Sequence, residues 1–113
     1  VDIVLDTIGF DKHLAGADLV ITGEGALDSS TIYNKAPIGV ARRAEKLGIP
    51  VVAIGGTLGD GHQLVYDHGI SAVCGIINAP MALSDASDNA ASLITDATRQ
   101  MMRMLILGSK VLQ

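Results

Sequence analysis

The sequence predicts an α/β fold in which a parallel β-sheet is flanked by helices. Three short apolar segments have the composition of buried strands, and segments with helical periodicity lie between them. Alternation of strands and helices is typical of βαβ units, whose right-handed crossovers make the strands parallel. The loops after the strands are therefore expected to meet at the carboxyl edge of the sheet, where ligands bind in such folds.

The first predicted elements are a helix and a buried strand. Val1–Ile8 is predicted to be helical because its apolar residues share one face and Gly9 stands where a helix would end. Leu19–Thr22 is a nearly continuous apolar run followed by glycine, which indicates a strand buried on both faces. The polar residues Gly23–Thr31 are expected to form the loop after it.

A second helix, a second strand and a short helix follow. Pro37–Leu47 has proline near its start, basic residues toward its end and Gly48 beyond, all of which are helix signals. Pro50–Gly56 is β-branched and apolar and ends in two glycines, as a buried strand would. A shorter helix through Leu64 is expected to end at Gly69.

The closing part of the chain contains the third strand and the longest helix. Ala72–Ile77 is predicted as the strand, and about Asn89–Leu107 as the helix, with Gly108 as its cap. One face of this helix is expected to pack on the sheet through Leu93, Ala97, Met101 and Met104.

Composition narrows the classes of protein. The 113 residues suit one small α/β domain, and a net charge of −4 leaves no basic surplus for binding nucleic acid. Cys74 has no partner for an internal disulfide and lies in an apolar run, so a core position and a reducing, cytoplasmic compartment are expected. No apolar stretch approaches the ~20 residues that span a bilayer, and no signal peptide is recognisable.

The chain is expected to be part of a larger protein. It begins within a predicted helix without an initiator Met, and three parallel strands are few for a sheet covered on both faces. At least one sheet edge is expected to pair with an N-terminal portion or second domain that is absent here.

The segment Gly23–Thr31 is the first candidate for chemistry. It combines two glycines, two carboxylates and three hydroxyl residues, and Lys35 follows. Glycines allow backbone N–H groups to approach an anion, while carboxylates and hydroxyls suit Mg²⁺. The residues alone equally allow a polar turn in which Ser, Asp and Gly serve backbone geometry.

The second candidate is the glycine-rich segment Gly55–Gly61. Asp60 could coordinate a metal or accept a proton, but taken alone it is better interpreted as the cap of the next helix. The three histidines do not share a helix face and are interpreted as surface residues, with His13 in a polar turn. Arg42 and Arg43 are interpreted as a solvated helix face.

Three segments together resemble the glycerate kinase type 1 family. Ile21–Asp28, Thr31 and Lys35–Ala41 are similar to its pattern, an Ile-Thr-Gly-Glu-Gly run leading through aspartate to a Gly-Lys-x-Pro-x-Gly-Val-Ala helix start. Val1–Gly16 and Gly55–Gly61 also resemble the family at these places. The likeness covers essentially the whole chain.

This resemblance implies a fold and an activity. The family's domain is Rossmann-like or flavodoxin-like, a three-layer α/β/α arrangement, and this chain would be an incomplete part of it. Members are longer, with two α/β domains and an active site in the cleft between them. They transfer the γ-phosphoryl group of ATP to D-glycerate, giving 2-phosphoglycerate or 3-phosphoglycerate.

Residue roles follow from the match and from the expected meeting of the two segments. Glu24, Asp28 and Lys35 are the expected catalytic residues: the carboxylates hold Mg²⁺ or orient the hydroxyl, and the lysine neutralises the transferred phosphate. The residues expected to bind ATP are Gly23, Gly25, Thr31, Gly56, Gly59 and Asp60.

Two positions depart from the family pattern. Ala26 stands where arginine is usual, which removes a group suited to carboxylate or phosphate. Asn34 stands where glycine is usual, and asparagine tolerates left-handed backbone better than most residues.

Two other functions therefore stay open. One is a non-catalytic flavodoxin-like module that binds a phosphate-bearing ligand or nucleotide. The other is an inactive fragment whose exposed sheet edge favours self-association into homo-oligomers.

Overall fold

The structure, a computed structural model, describes residues 1–33 and 35–113. It contains three strands in one open sheet with the order β1-β2-β3, and both pairs are parallel. The strands are β1 Val20–Leu27, β2 Val51–Leu58 and β3 Ala72–Gly75. The helices are α1 Asp2–Thr7, α2 Phe10–Leu14, α3 Ala36–Lys46, α4 Leu83–Asp88 and α5 Ala90–Val111, with a 3-10 helix at His62–His68.

The predicted parallel sheet flanked by helices is confirmed, but the strand ends differ from the prediction. The first strand continues past Thr22 to Leu27, so half of the predicted loop Gly23–Thr31 is strand. The second continues to Leu58, while the third stops at Gly75, before the predicted Ile77. Polar and glycine residues extend a strand when a parallel neighbour offers backbone partners, which a reading of apolar runs misses.

The helices also contain corrections to the sequence analysis. The initial helix ends at Thr7, and Leu5 is its one buried residue. His13 lies in helix α2 rather than in a polar turn, although it is exposed as expected. The closing helix continues to Val111, so Gly108 lies inside it and is not a cap. Helix α4 was not predicted.

Each face of the sheet has its own core. Helix α3 covers one face, where its Ile38 and Ala41 pack with Val51 and Ala53 of β2. Helices α4 and α5 cover part of the other, where Leu93 belongs to a smaller cluster. Successive strand residues point to opposite faces, so on β2 Ala53 belongs to the first core and Ile54 packs against the second. Met104, expected to pack, is exposed, whereas Met101 is buried.

Arg43 joins the first two helices to α3 and is not the solvated residue that the sequence suggested. Its side chain is only 13% exposed and lies 3.3, 2.9 and 3.2 Å from carboxylate oxygens of Asp2, Asp6 and Asp11. The hydrogen bonds that the guanidinium donates, first to Asp6 and then to Asp11 and Asp2, raise its pKa above the usual value. Its neighbour Arg42 is exposed, as predicted.

None of the helices formed by residues 1–33 and 35–113 is both long and apolar enough to cross a bilayer.

Candidate functional site

The site begins on strand β1, opposite helix α3. Glu24 pairs with Gly55 of β2, and it lies on the face of β1 that carries Val20, four residues earlier. Val20 packs against the core beneath α3, so the Glu24 side chain lies on that side of the sheet. The extended strand therefore presents Glu24 from a rigid element rather than from the loop that was expected.

Thr31 links Glu24 to the end of β1. Its hydroxyl donates to Oε2 of Glu24 at 3.2 Å and accepts the backbone N–H of Asp28 at 3.1 Å. Its own backbone N–H donates to the carbonyl of Asp28 at 3.1 Å, which closes a turn. The Thr31 side chain is completely buried, whereas that of Glu24 is 22% exposed.

Ser30 and Lys35 complete a closed set of contacts. The Nζ of Lys35 donates to Oγ of Ser30 at 2.8 Å and lies 3.9 Å from Oε1 of Glu24. The Ser30 hydroxyl donates in turn to Oδ1 of Asp28 at 2.5 Å. We call these five residues, Glu24, Asp28, Ser30, Thr31 and Lys35, the polar ring.

The charge of Asp28 is favoured by hydrogen bonds within the polar ring. The pKa of Asp28 is lowered, first by the hydroxyl of Ser30, then by its backbone N–H at 2.8 Å, and further by the charge of Lys35. Asp28 is therefore ionised at neutral pH. Lys35 directly precedes α3, whose N-terminus adds partial positive charge at the same place.

The loop after β2 contacts the segment that carries the polar ring through the backbone, as the topology predicted. The backbone N–H of Ser29 donates to the carbonyl of Asp60 at 3.0 Å, and that of Gly59 to the carbonyl of Leu27 at 2.7 Å. Gly61 has a φ of 77°, and a Cβ there would meet that of Ser29 at 2.7 Å. Glycine thus allows the two loops to touch.

The Asp60 side chain does not have the capping role that was expected. The 3-10 helix that follows is preceded by Gly61 and receives no side-chain cap, so the capping interpretation of Asp60 is wrong. His62 is half-buried, and its Nδ1 lies 3.0 Å from the carbonyl of Gly59, so it belongs to this loop rather than to the open surface.

Three glycines expected to bind ATP lie in strands, not in loops. Gly23 and Gly25 belong to β1 and Gly56 to β2, and only Gly59 follows a strand. All three in-strand glycines line an apolar groove of about 620 Å³ between the strand ends and helices α4 and α5. Ile77, which follows β3, also lines it, so the ends of all three strands meet at this edge.

The groove and the polar ring are neighbours on opposite sides of β1, and Glu24 borders both. A larger cavity of about 850 Å³ lies between β3 and α5, lined by residues such as Cys74 and Met101, and includes no member of the polar ring. Cys74 is only half-buried, and burial raises its thiol pKa. The chemistry of the site therefore belongs to the smaller groove and the ring.

The structure brings together all three residues of the predicted catalytic set. Glu24, Asp28 and Lys35 share the polar ring, whereas the prediction for Asn34 lies outside the described residues. Within residues 1–33 and 35–113, no group of three or more His, Cys, Asp or Glu side chains is arranged to hold a metal. A cation here would therefore rely on two carboxylates together with hydroxyl or ligand oxygens.

Ser30 is the member of the ring that the sequence analysis did not single out. The signal was present, since a serine two residues after aspartate is the pattern of an Asx turn, in which the carboxylate accepts the N–H of residue i+2. The Asx-turn pattern does not predict the contact with Lys35, which reaches Ser30 only because α3 begins beside the turn.

Comparison with known proteins identifies close relatives. The sequence model described as the Glycerate kinase family matches residues 1–106. A protein named Glycerate kinase from Bacillus cereus is 51% identical over 86 residues, 76% of this chain and 23% of its own length. Glycerate 2-kinase from Escherichia coli is 37% identical over 110 residues, 97% of this chain and 29% of its own.

A solved structure agrees with this result. The crystal structure of a glycerate kinase 2 from Salmonella typhimurium LT2 matches with a TM-score of 0.71 and 38% identity, covering 96% of this chain and 27% of that one. The chain thus spans about a quarter of the length of the relatives that it matches.

Proposed function

This chain belongs to the glycerate kinase family, and on that premise we propose that it supplies the phosphate-handling side of an active site that transfers the γ-phosphoryl group of ATP to glycerate. The remainder of a longer protein would supply the other side of the cleft. This division is supported by the share of its relatives that the chain spans, between 23% and 29% among those compared above.

The polar ring is the observation that carries the proposal. It holds one lysine and two carboxylates in fixed relation at the carboxyl edge of a parallel sheet, where ligands of such folds bind. Phosphoryl transfer needs little covalent chemistry from the protein, and depends on positioning and on neutralising the charge of the transferred group. A preformed cation between two anions suits that requirement.

Each charged residue then has a distinct task. Lys35 has further N–H groups besides the one donated to Ser30 and neutralises phosphate oxygens. Asp28, whose pKa is lowered, is a weak base, so it orients the glycerate hydroxyl or a cation rather than removing a proton early. Glu24 stabilises the charge of Lys35 from the strand side.

The oxygen donors of the ring fit Mg²⁺. Mg²⁺ is usually held by one or two carboxylates together with substrate phosphates, and Glu24 and Asp28 provide two carboxylates beside the hydroxyl of Ser30. When bound, the ion would supply positive charge that neutralises the negative charge developing on the transferred phosphate.

ATP and glycerate differ in what they require from the surroundings. Glycerate is small and anionic, so it suits the ring, whereas the purine base of ATP has a large apolar face. The apolar groove beside Glu24 suits that base. Its lining is mostly apolar, and where it is bounded by the sheet its glycines have no side chains to obstruct a ligand.

Ala26 favours a second candidate, a module that binds a phosphate-bearing ligand without catalysis. Ala26 pairs with Thr57 at the end of β1, near the ring, and offers no charge where the family pattern has arginine. The two functions differ in turnover, not in binding. Binding of MgATP without glycerate phosphorylation by the longer protein would favour the module.

The kinase proposal is tested by removing single charges in the longer protein that contains this segment. Lys35→Ala and Asp28→Asn are each expected to lower kcat by about a hundredfold, as loss of a positioned charge at the reacting group does. The measurement is steady-state phosphorylation of glycerate with ATP and Mg²⁺.

Lys46→Ala is the matched control, because Lys46 is exposed at the far end of the same helix. Its kcat should stay within about twofold of the unmodified protein. Near-normal turnover in both ring variants would contradict the roles proposed for Lys35 and Asp28 in phosphoryl transfer.

A further inference from the structure

Thr31 has an environment that does not suit contact with a ligand. Its side chain is polar yet has no exposed surface, although it lies within the polar ring. A side chain without exposed surface offers a nucleotide no atom to touch in this arrangement. The expected role of Thr31 as an ATP-binding residue therefore has to be reconsidered.

The hydroxyl of Thr31 makes two bonds of opposite sense. It donates to Oε2 of Glu24 and accepts from the N–H of Asp28, so both kinds of hydrogen-bonding capacity are used. Its backbone N–H donates to the carbonyl of Asp28, which fixes the turn from the other side. One residue thereby sets the position of both carboxylate-bearing residues.

The contact with Glu24 also affects Lys35. With Oε2 held by Thr31, Oε1 of Glu24 lies 3.9 Å from Nζ of Lys35, beyond the length of a hydrogen bond. If the Thr31 bond were absent, the Glu24 side chain could rotate toward Lys35 and pair with it fully. A fully paired lysine neutralises a phosphate group less well.

We infer that Thr31 is a positioning residue that acts through Glu24: its buried hydroxyl holds the carboxylate back from Lys35 and sets the Asp28 turn before the ligand binds. The inference rests on the proposed kinase function for its effect on rate, but the geometry behind it is independent of that function. Ser30, which is exposed, can exchange its bond to Lys35 for one to a ligand oxygen, whereas Thr31 cannot.

The first test compares three variants of the longer protein. Thr31→Val keeps the shape and removes the hydroxyl, and kcat for glycerate phosphorylation should fall about ten- to a hundredfold, with KM for ATP changed less than about threefold. Thr31→Ser restores the hydroxyl and should recover kcat to within about threefold. Thr95→Val, which removes an exposed threonine hydroxyl from α5, is the control and should change neither constant.

A double-mutant cycle separates positioning from general stabilisation. If Thr31 acts through Glu24, Thr31→Val should lower kcat by a clearly smaller factor in a Glu24→Gln background than in the unmodified protein, because only its effect on the Asp28 turn remains. Equal losses in both backgrounds would show a merely structural role and overturn the inference. A rise in KM for ATP at unchanged kcat would overturn it in favour of ligand contact.

A third measurement does not depend on kinase activity. In the 113-residue chain, hydrogen exchange of the Asp28 amide should be about tenfold faster or more in Thr31→Val than in Thr31→Ser, because its acceptor is lost. If the longer protein does not phosphorylate glycerate, the proposed function fails while this result still tests the geometry. If Thr31→Val does not fold, Thr31→Cys, of similar volume and weaker hydrogen bonding, replaces it, and exchange unchanged from Thr31→Ser would overturn the inference.

Discussion

Single residues of the polar ring owe their properties to neighbours that are close in sequence. Asp28 accepts two hydrogen bonds from Ser30, two positions later, and Lys35 is reached through the same hydroxyl. Local geometry of this kind holds a half-buried carboxylate ionised, because bonds to the charged form favour it. The pKa of Asp28 therefore reports whether the hydrogen bonds of the polar ring are formed.

Replacing Ser30 should change the titration of Asp28. Because the Ser30 hydroxyl is the largest cause of the lowered pKa, Ser30→Ala should raise the Asp28 pKa toward its ordinary value, while the remaining backbone N–H of Ser30 keeps part of the shift. The pKa can be followed by carboxyl ¹³C NMR between about pH 2 and pH 6.

The sign of the effect on stability follows from linkage. A carboxyl whose pKa is lower in the folded state stabilises the fold above its unfolded pKa, and this contribution is lost as the pH falls through the folded pKa. In Ser30→Ala, Asp28 should therefore contribute a smaller loss of folding stability as the pH falls. Ser29→Ala, which removes the neighbouring exposed hydroxyl, is the control, and an equal pKa change in it would contradict the prediction.

At the level of elements, strands β1 and β2 extend beyond their apolar segments because glycines allow the ends of the two strands to lie close together. A Cβ on Gly56 would collide with the carbonyl oxygen of Gly25, whereas a Cβ on Gly25 would meet nothing within 4 Å. The two glycines lie side by side at the edge of the groove and are otherwise similar. Alanine substitutions at these two positions can therefore be compared to test how closely the two strands approach each other.

Gly56→Ala should destabilise the chain and Gly25→Ala should not. The collision in Gly56→Ala forces the strands apart, which we expect to lower the free energy of unfolding by about 1–3 kcal/mol. Gly25→Ala should leave it unchanged or raise it by up to about 1 kcal/mol, since alanine restricts the unfolded chain. Urea denaturation of both variants measures the difference, and similar values for the two would refute the strand geometry.

For the whole molecule, the open sheet is the dominant feature. Strand β1 lies at one edge, paired with β2 alone among the described residues. Ile21 on β1 is exposed. Several large apolar residues of α5 and its C-terminal end are also exposed, among them Met104 and Leu112 beside the larger cavity. Open strand edges and apolar patches both favour association.

The chain by itself should therefore self-associate. Its apparent mass by light scattering should rise at least twofold between low and high micromolar concentration, because two copies can pair their β1 edges. Ile21→Lys should reduce this rise, since a lysine on an edge strand opposes pairing. Ile3→Lys, on the exposed side of α1, should not. A stable monomer over the whole range would contradict the prediction.

Much of the fold could be predicted because its signals are local. Runs such as Val51–Ile54 and the glycines that close helices depend on neighbouring residues only, so the three strands and their parallel order were found. Strand ends were missed at Gly23–Leu27 because the backbone partners there come from β2. Arg43 was misinterpreted because its three aspartates lie 32 to 41 positions away.

The sequence by itself determined the family, the parallel sheet and the grouping of Glu24, Asp28 and Lys35 at one sheet edge, since motif spacing and apolar pattern specify these through short-range preferences. Only the tertiary structure decided that Glu24 stands on a strand, that Thr31 is buried between the two carboxylate-bearing residues, and that three of the four candidate glycines border an apolar groove. The physical reason is that burial and hydrogen-bond partners depend on which segments pack together, and a list of residues does not contain that information.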